Sequence, residues 1–388
     1  MGFAWSTKRK GPLAEGGGSA PSLARFTPLP ACLAWQMERE PMPRSQSEMK
    51  IVELVELGRV ETRTAPVPVP GPGEARLRVR AVGLCGTDVK AYRRGHPYFK
   101  PPCVLGHEVV GVIDAVDDAV RGLAVGERVV CAPYVECGGC SICLRGVGEL
   151  CQHKAFVAGA LQEYLILSAD ILARGTFRVA DAMSDAVATL AEPLACAMNG
   201  IERAGVRRGD RVLVVGGGPM GVLLAIVART LSPHVLVSEV NPARSEHLRR
   251  LGLSVVNPSE TPLSEALSRA FSAPEADRVL IAVGDRGVAE DAIGLTAAGG
   301  TALLFGGLPK GEQLSLDSFA IHYREVGIVG SFGFQVRHFR NAVEWMEQNP
   351  AALDGVVTAS VPFAEAARAF AEAAQPDGLK TVIRFEEA

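Results

Sequence analysis

Three side chains in the first third of the chain offer the donor types of a metal site. Cys85 lies in Gly83-Leu84-Cys85-Gly86-Thr87-Asp88, and His107 and Glu108 lie in Leu105-Gly106-His107-Glu108. A thiolate, an imidazole and a carboxylate suit a borderline-soft cation, and three protein ligands with one open position is the pattern of a catalytic zinc site. The neighbouring glycines fit sharp turns where backbone passes close to a site. A cysteine and a histidine on loops are more often inert, so the trio gains weight only from its surroundings. A second set follows in Cys137-Gly138-Gly139-Cys140-Ser141-Ile142-Cys143 and Cys151. Four thiolates within fifteen residues can enclose one tetrahedral zinc completely, which leaves no room for substrate and makes that zinc structural. An iron–sulfur cluster is the competing reading of this spacing. Four free core cysteines are disfavoured, because glycines separate them and no apolar period buries them.

The elements that must carry these residues change character along the chain. Residues 1–48 show no periodicity, with Lys8-Arg9-Lys10, Gly16-Gly17-Gly18 and scattered prolines, and read as a disordered extension. Met49 opens the first strand-like run and is a candidate start; a transit peptide is the alternative, weakened by Glu15, Glu38 and Glu40. From Ile51 to Val130, short alternating runs such as Ala75 to Val82, with Gly/Pro punctuation, suggest a compact, barrel-like β domain bearing the Cys85 and His107 loops. Tyr164 to Leu167 adds a strand. Ser184 to Ala204 then reads as one helix, with Ser184 as its cap. Glu192-Pro193 lies inside it, and a carboxylate there either faces solvent or has a charged partner such as the zinc.

Arg211 to Val215, Gly216-Gly217-Gly218-Pro219-Met220-Gly221 and Val222 to Arg229 form strand, glycine turn and helix. Gly216, Gly218 and Gly221 fill the G-x-G-x-x-G positions of a dinucleotide-binding turn, where the helix N-terminus, with Met220 in its first turn, faces the pyrophosphate. The next strand, Val235 to Ser238, ends on Glu239, whose carboxylate can hold the ribose hydroxyls and would repel a 2′-phosphate. That favours NAD over NADP, although Arg244 nearby could accept a phosphate. Apolar runs at Arg278 to Val283 and Thr301 to Phe305 read as buried parallel strands, with Gly306 at the carboxyl end where nucleotides bind. Glu325 to Ser331 is a last strand of this set, Phe339 to Met346 and Ala364 to Ala374 are helices, and Lys380 to Arg384 is a closing strand.

Composition agrees with a globular protein. The chain has 388 residues, 48% hydrophobic and 21% charged, with a net charge of −3. No general electrostatic pull toward nucleic acid or anionic membrane follows. No apolar run is long enough to span a bilayer. Five of the nine cysteines fall in the two sets above, which reads as zinc rather than disulfides and places the chain in a reducing cytoplasm.

In order along the chain, Gly83-Leu84-Cys85-Gly86-Thr87-Asp88, Gly106-His107-Glu108, the four-cysteine set, Glu192-Pro193 and the 216–221 turn resemble the zinc-dependent medium-chain alcohol dehydrogenase family. Its sorbitol and L-threonine dehydrogenase branch is the most similar, and the likeness runs from about Met49 to the end. The resemblance implies a GroES-like catalytic domain over 49–187, a Rossmann domain over 188–334 and a C-terminal segment, 335–388, that completes the first. It implies two zinc ions per chain, a homodimer or homotetramer, and NAD-linked oxidation of a secondary alcohol in a polyol, an amino alcohol or a cyclitol. Cys85, His107 and a carboxylate would hold the catalytic zinc, the carboxylate being Glu108 or Glu192, directly or through water. Thr87 would relay the alcohol proton. Lys90 stands where relatives carry a relay histidine, so the relay ends in a lysine or in water. The 151–164 segment looks short, so pocket size does not carry over; Tyr92, Pro97 to Phe99 and Phe332 are expected near the substrate. A zinc-free NADPH-dependent quinone or enoyl reductase is the alternative, opposed by Cys85, the cysteine set and Glu239. A nucleic-acid-binding zinc ribbon is opposed by the charge of the lobe, Arg145 against Glu136 and Glu149.

Overall fold

In Ala75–Gly83 the residues at 75, 77, 79 and 81 are buried while Arg76, Arg78 and Arg80 remain half-buried, the two-residue period of a strand with one face inward. The computed structural model describes residues 47–97, 99–375 and 377–386. The disorder expected for 1–48 therefore falls, up to residue 46, outside the described residues. Ala75–Gly83 is central to a seven-stranded sheet ordered Thr176–Arg178, Arg128–Cys131, Glu108–Val116, Ala75–Gly83, Lys380–Arg384, Val357–Pro362, with Tyr164–Leu167 pairing the other end of Ala75–Gly83. A three-stranded sheet of Arg59–Pro66, Glu48–Glu56 and Cys103–Val104 closes over it. Leu54, Leu77, Val79, Ile113, Leu165 and Leu167 fill the space between. The last strand runs antiparallel to Ala75–Gly83, with Val382 opposite Gly83. The end of the chain thus lies beside the strand that feeds the Cys85 turn.

The second sheet has six parallel strands ordered Ser254–Val256, Val235–Ser238, Val212–Val215, Ala276–Ile281, Thr296–Leu304, Gly327–Gly330. In chain order this is 3-2-1-4-5-6, the dinucleotide-binding arrangement, with its crevice at the carboxyl ends where the order reverses. Val212–Val215 and Val235–Ser238 are buried throughout, as strands covered on both faces must be. Thr296–Leu304 begins before Thr301, where the apolar run starts, because Thr296 already pairs with Ala276.

One expectation needs correction. Ser184 to Ala204 is two helices, Asp185–Ala188 and Ala191–Ala204. Ser184 caps the first, its hydroxyl accepting from Val187 N–H at 3.2 Å. Pro193 explains the break. In a continuous helix its nitrogen would have to donate to the Thr189 carbonyl, and its ring would strike that group. The chain stops and restarts, so that Pro193 and Glu192 fall in a first turn where no such bond is required. Glu192 is thereby brought to the end of a buried helix that faces the first domain.

Candidate active site and metal centres

Cys85, His107 and Glu108 do come together: one donor atom from each lies within 4.8 Å of the others. Cys85 N-caps helix Gly86–Arg94 at the end of Ala75–Gly83. His107 and Glu108 enter the neighbouring strand. A Cβ at Gly83 would collide with the Glu108 carboxylate, and Gly106 has φ 90°. Both glycines are therefore required by the close approach. Sulfur, nitrogen and oxygen donors at this spacing fit Zn²⁺.

Two residues that sequence reasoning passed over hold this set in place. Asp88, fully buried, accepts from Cys85 N–H at 2.9 Å and Gly106 N–H at 3.1 Å, and lies 3.5 Å from His107 Nδ1. It ties the two ligand loops together and turns the other imidazole nitrogen toward the centre, as carboxylates behind metal-bound histidines do. Burial works to raise the Asp88 pKa, but His107 and the two backbone donors outweigh it and hold it low. Burial likewise opposes charge on His107, yet Asp88 and Cys85 raise its pKa well above the usual value. The second residue is Lys380, whose Nζ meets both Glu108 oxygens at 2.6 and 2.8 Å and donates to Leu84 O at 3.3 Å. Asp88 sits inside the quoted motif and was visible there; Lys380 is 272 residues from its partner, and only its place in an apolar strand hinted at burial.

Glu192 is buried, and Cys196, one turn on, donates its Sγ to Glu192 Oε1 at 3.6 Å. Burial first, then Glu108, pushes the Glu192 pKa up to about 7 against the pull of His107 and Lys380. A nearby cation would relieve that cost. Thr87 is half-buried, and Lys90, one turn further along the same helix, is exposed. His96 follows the helix; burial lowers its pKa, as do Lys90 and His107, against Asp88. Tyr92, expected near the substrate, packs its ring 5.1 Å from Phe370, where the helix meets the C-terminal segment. Phe332 is 63% exposed. Tyr98, within the loop from Pro97 to Phe99, lies outside the described residues.

The second cysteine set is also assembled. Sγ–Sγ separations are 3.5 Å for Cys140–Cys143 and Cys137–Cys151, 3.8 Å for Cys140–Cys151 and 3.9 Å for Cys137–Cys143. The edge of a tetrahedron with Zn–S bonds of ~2.3 Å is about 3.8 Å. The donor set fits a closed zinc site. Backbone N–H groups of Cys137 and His153 point at Cys151 Sγ.

In the cofactor crevice, Gly216 has φ 97°, and a Cβ at Gly221 would strike Gly216 O. Gly218 N-caps helix Pro219–Leu231, and a Cβ there would meet only Arg244 Nη1, at 3.9 Å. Met220 leans on the domain core. A Cβ at Gly306 would collide with Val283 O. Glu239 is buried rather than a solvated strand end. It accepts from Gly217 N–H at 2.9 Å, Asn241 N–H at 2.8 Å and Arg244 Nη1 at 3.1 Å. Arg244 is thus paired with the very carboxylate it was weighed against.

A β domain with a Cys/His/Glu centre, completed by the chain's end and joined to a 3-2-1-4-5-6 sheet, defines a two-domain dinucleotide-linked dehydrogenase. Family comparison agrees. Residues 71–176 match the alcohol dehydrogenase GroES-like domain, and residues 185–385 match the glucose dehydrogenase C-terminus. D-altritol 5-dehydrogenase of Agrobacterium fabrum is 34% identical over 82% of this chain and 94% of its own length. L-galactonate-5-dehydrogenase of Escherichia coli K12 is 33% identical over 75% and 85%. A zinc-binding dehydrogenase of Sinorhizobium meliloti 1021, solved with NADP, superposes with TM-score 0.80 at 28% identity, over 87% of this chain and all of that one. The chain belongs to the zinc-dependent medium-chain alcohol dehydrogenase family, in its sorbitol dehydrogenase-like branch, and is an oxidoreductase of alcohols.

Proposed function

We propose that this enzyme oxidises a secondary alcohol of a polyol or sugar acid to the ketone, reversibly, with NAD and two zinc ions per chain. The observation that carries the reading is the Cys85/His107/Glu108 set, within 4.8 Å and beside a dinucleotide crevice. Cys85, His107 and Glu108 would hold the catalytic Zn²⁺, with Glu192 as the second carboxylate of the shell, and Cys137, Cys140, Cys143 and Cys151 the structural one. Zinc bound there would supply a Lewis acid that lowers the pKa of the substrate hydroxyl, and the nicotinamide would supply the hydride acceptor. The protein does the rest. Asp88 holds His107 in one orientation, and Lys380 holds Glu108. Thr87 Oγ1 would accept the hydroxyl proton while giving its own to Lys90, on the same helix face, or to water. Gly216, Gly218 and Gly221 let the main chain approach the pyrophosphate, and Glu239 receives the ribose hydroxyls.

NAD is favoured because Glu239 is buried at the strand end and accepts from Arg244 at 3.1 Å, although the Sinorhizobium relative was solved with NADP. A zinc-free quinone or enoyl reductase has no use for this donor set. A homodimer or homotetramer is supported by Gly327–Gly330, a sheet edge bonded on one side, with Phe319 and Tyr323 exposed nearby. Among the described residues no helix is long and apolar enough to cross a membrane, and the eight described cysteines form no disulfide, which suits the cytoplasm.

The test is NAD⁺ reduction over sorbitol, xylitol, galactitol, D-altritol, L-galactonate, myo-inositol and L-threonine, with and without 1,10-phenanthroline. A signal on a polyol or sugar acid that the chelator abolishes is expected. Activity indifferent to chelation, or seen only with NADPH and an enone, overturns the proposal.

A further inference from the structure

We propose that the Cys137–Cys151 lobe is a clamp on the connection out of the cofactor domain, and that Tyr134, Glu136, Glu149 and Gln335 are positioning residues for the dinucleotide crevice. The clamp stands on the geometry of these side chains; only its dependence on metal rests on the structural-zinc reading above.

Residues 331–335 leave strand Gly327–Gly330 at its carboxyl end, the side on which this kind of sheet binds dinucleotides, and enter helix Val336–Gln348. The lobe supplies partners for the main chain there. The Tyr134 hydroxyl accepts from Phe334 N–H at 2.8 Å and donates to Phe334 O at 3.0 Å, so one hydroxyl satisfies both backbone groups of one residue. Its ring stacks on the Phe334 ring at 4.7 Å. Gly333, at φ 58°, leaves room for that hydroxyl where a Cβ would collide with it.

Next, the Val336 N–H, an orphan donor of the helix start, meets both Glu136 oxygens at 3.2 and 3.3 Å. Gln335 Nε2 donates to Gly146 O and Glu149 Oε2, each at 2.8 Å. Glu136 directly precedes Cys137, and Gly146 and Glu149 lie between Cys143 and Cys151 in sequence, so the fold of that loop sets their positions. Lys154 lies over the Tyr134 ring at 4.0 Å and donates to Glu149 O at 2.6 Å, bracing the clamp from behind.

The opposite side of the same segment is bonded to the Glu192 helix. Asn199 Nδ2 donates to Gly333 O at 2.9 Å and to Ser331 Oγ at 3.2 Å. Arg337 and His338 both meet Glu202. Residues 331–338 are therefore gripped between the lobe and the helix that brings Glu192 to the active site. The lobe partners lie 186 to 200 residues away in sequence. A loop that served only its own rigidity would have no need to aim a carboxylate, a carbonyl and a hydroxyl at that segment. Loosening the grip frees the wall of the crevice and leaves the Cys85/His107/Glu108 donors untouched, so the loss falls on dinucleotide affinity rather than on the chemical step.

The deciding variant is Tyr134→Phe in the full-length enzyme, which keeps the ring and removes the two bonds. The Kd for NADH by fluorescence titration and the KM for NAD⁺ are expected to rise about five- to tenfold while kcat moves less than about twofold. Deuterium uptake at 331–338 should quicken, with Val212–Val215 and the zinc content unchanged. Gln335→Met, which cuts the contacts to Gly146 and Glu149, should reproduce the pattern and stands in if Tyr134→Phe does not fold. Unchanged Kd and uptake in either folded variant, or a fall in kcat at constant KM, overturns the clamp. Cys143→Ser adds the metal. Loss of one zinc with uptake quickened at 331–338 and not at Val212–Val215 supports the proposal, and loss of one zinc with uptake at 331–338 changed no more than at Val212–Val215 overturns it. A wild type holding a single zinc would sink the structural-zinc reading alone, and the Tyr134 variant would still decide the clamp.

Discussion

The two candidate metal centres are built on opposite plans. In the lobe, every donor comes from one stretch, Cys137 to Cys151, and local turns fix the sulfur tetrahedron. Backbone N–H groups of Gly139 and Cys140 lower the Cys137 pKa to about 6, while burial and Cys140 raise that of Cys143 to about 12. Neighbouring sulfurs cannot all be anions without a cation among them, so the zinc proposed for the lobe would complete it. The Cys85/His107/Glu108 centre draws its ligands from two loops and its order from elsewhere: Asp88 binds the loops to each other, and Lys380 already neutralises Glu108. A closed site carries its geometry in its own sequence. An open one, which must keep a position for substrate, takes its geometry from the surrounding fold.

The largest effect should separate the two plans outright. Cys143→Ser opens the lobe, and structural zinc can supply on the order of 10 kcal/mol of folding free energy. The expected outcome is one zinc lost and a large fall in Tm. His107→Ala should lose the other zinc, keep a Tm within a few degrees of wild type, and lower kcat/KM by at least about a thousandfold, the several kcal/mol a Lewis acid contributes. Zinc content and calorimetry on the same samples check both. Equal thermal losses in the two variants would break the comparison.

The same contrast governs what could be read from sequence. The lobe and the 216–221 turn were legible because their residues act within a few positions of one another, and the dinucleotide fold followed from strand, glycine turn and helix. Cys85, His107 and Glu108 were legible as donor types on glycine-flanked turns. Their supports were not. Asp88 was visible in its motif, but its bonds to Cys85 and Gly106 depend on a second loop. Lys380 opens an apolar strand, and nothing local points it at Glu108. Glu239 could be read as a strand end, whereas its bond to Gly217 requires two strands to be adjacent. The helix break before Glu192 escaped notice because apolar spacing continues across it, although Pro193 was its cause.

Lys380→Met tests the open centre's dependence on distant chain. Glu108 and Lys380 are 0% and 2% exposed, and removing one member of a buried pair costs about 3–5 kcal/mol, because the other charge is left uncompensated. Urea unfolding of the zinc-stripped enzyme, where no cation can replace Lys380 beside Glu108, should show that loss. Adding Glu108→Gln should restore most of the stability, since the stranded charge is gone, without restoring activity. A Lys380→Met enzyme as stable as wild type would mean that Glu108 is compensated by something other than the chain's last strand.

Asp88→Asn should have the smallest effect and gives the finest test. The two Asp88 oxygens accept from different loops, Oδ2 from Cys85 N–H and Oδ1 from Gly106 N–H. An asparagine keeps the size but turns an NH₂ toward one of those donors, so one loop is pushed away while the other stays bound. It also removes the charge that favours a proton on His107 Nδ1. Zinc affinity at this centre should fall about ten- to hundredfold, the usual cost of losing the partner behind a metal-bound histidine, while the lobe zinc is retained. Competition with a graded series of chelators separates the two populations in one experiment. Unchanged affinity would show that the His107 loop holds its own geometry, as the cysteine lobe does, and the distinction between a self-contained centre and a borrowed one would no longer hold for this protein.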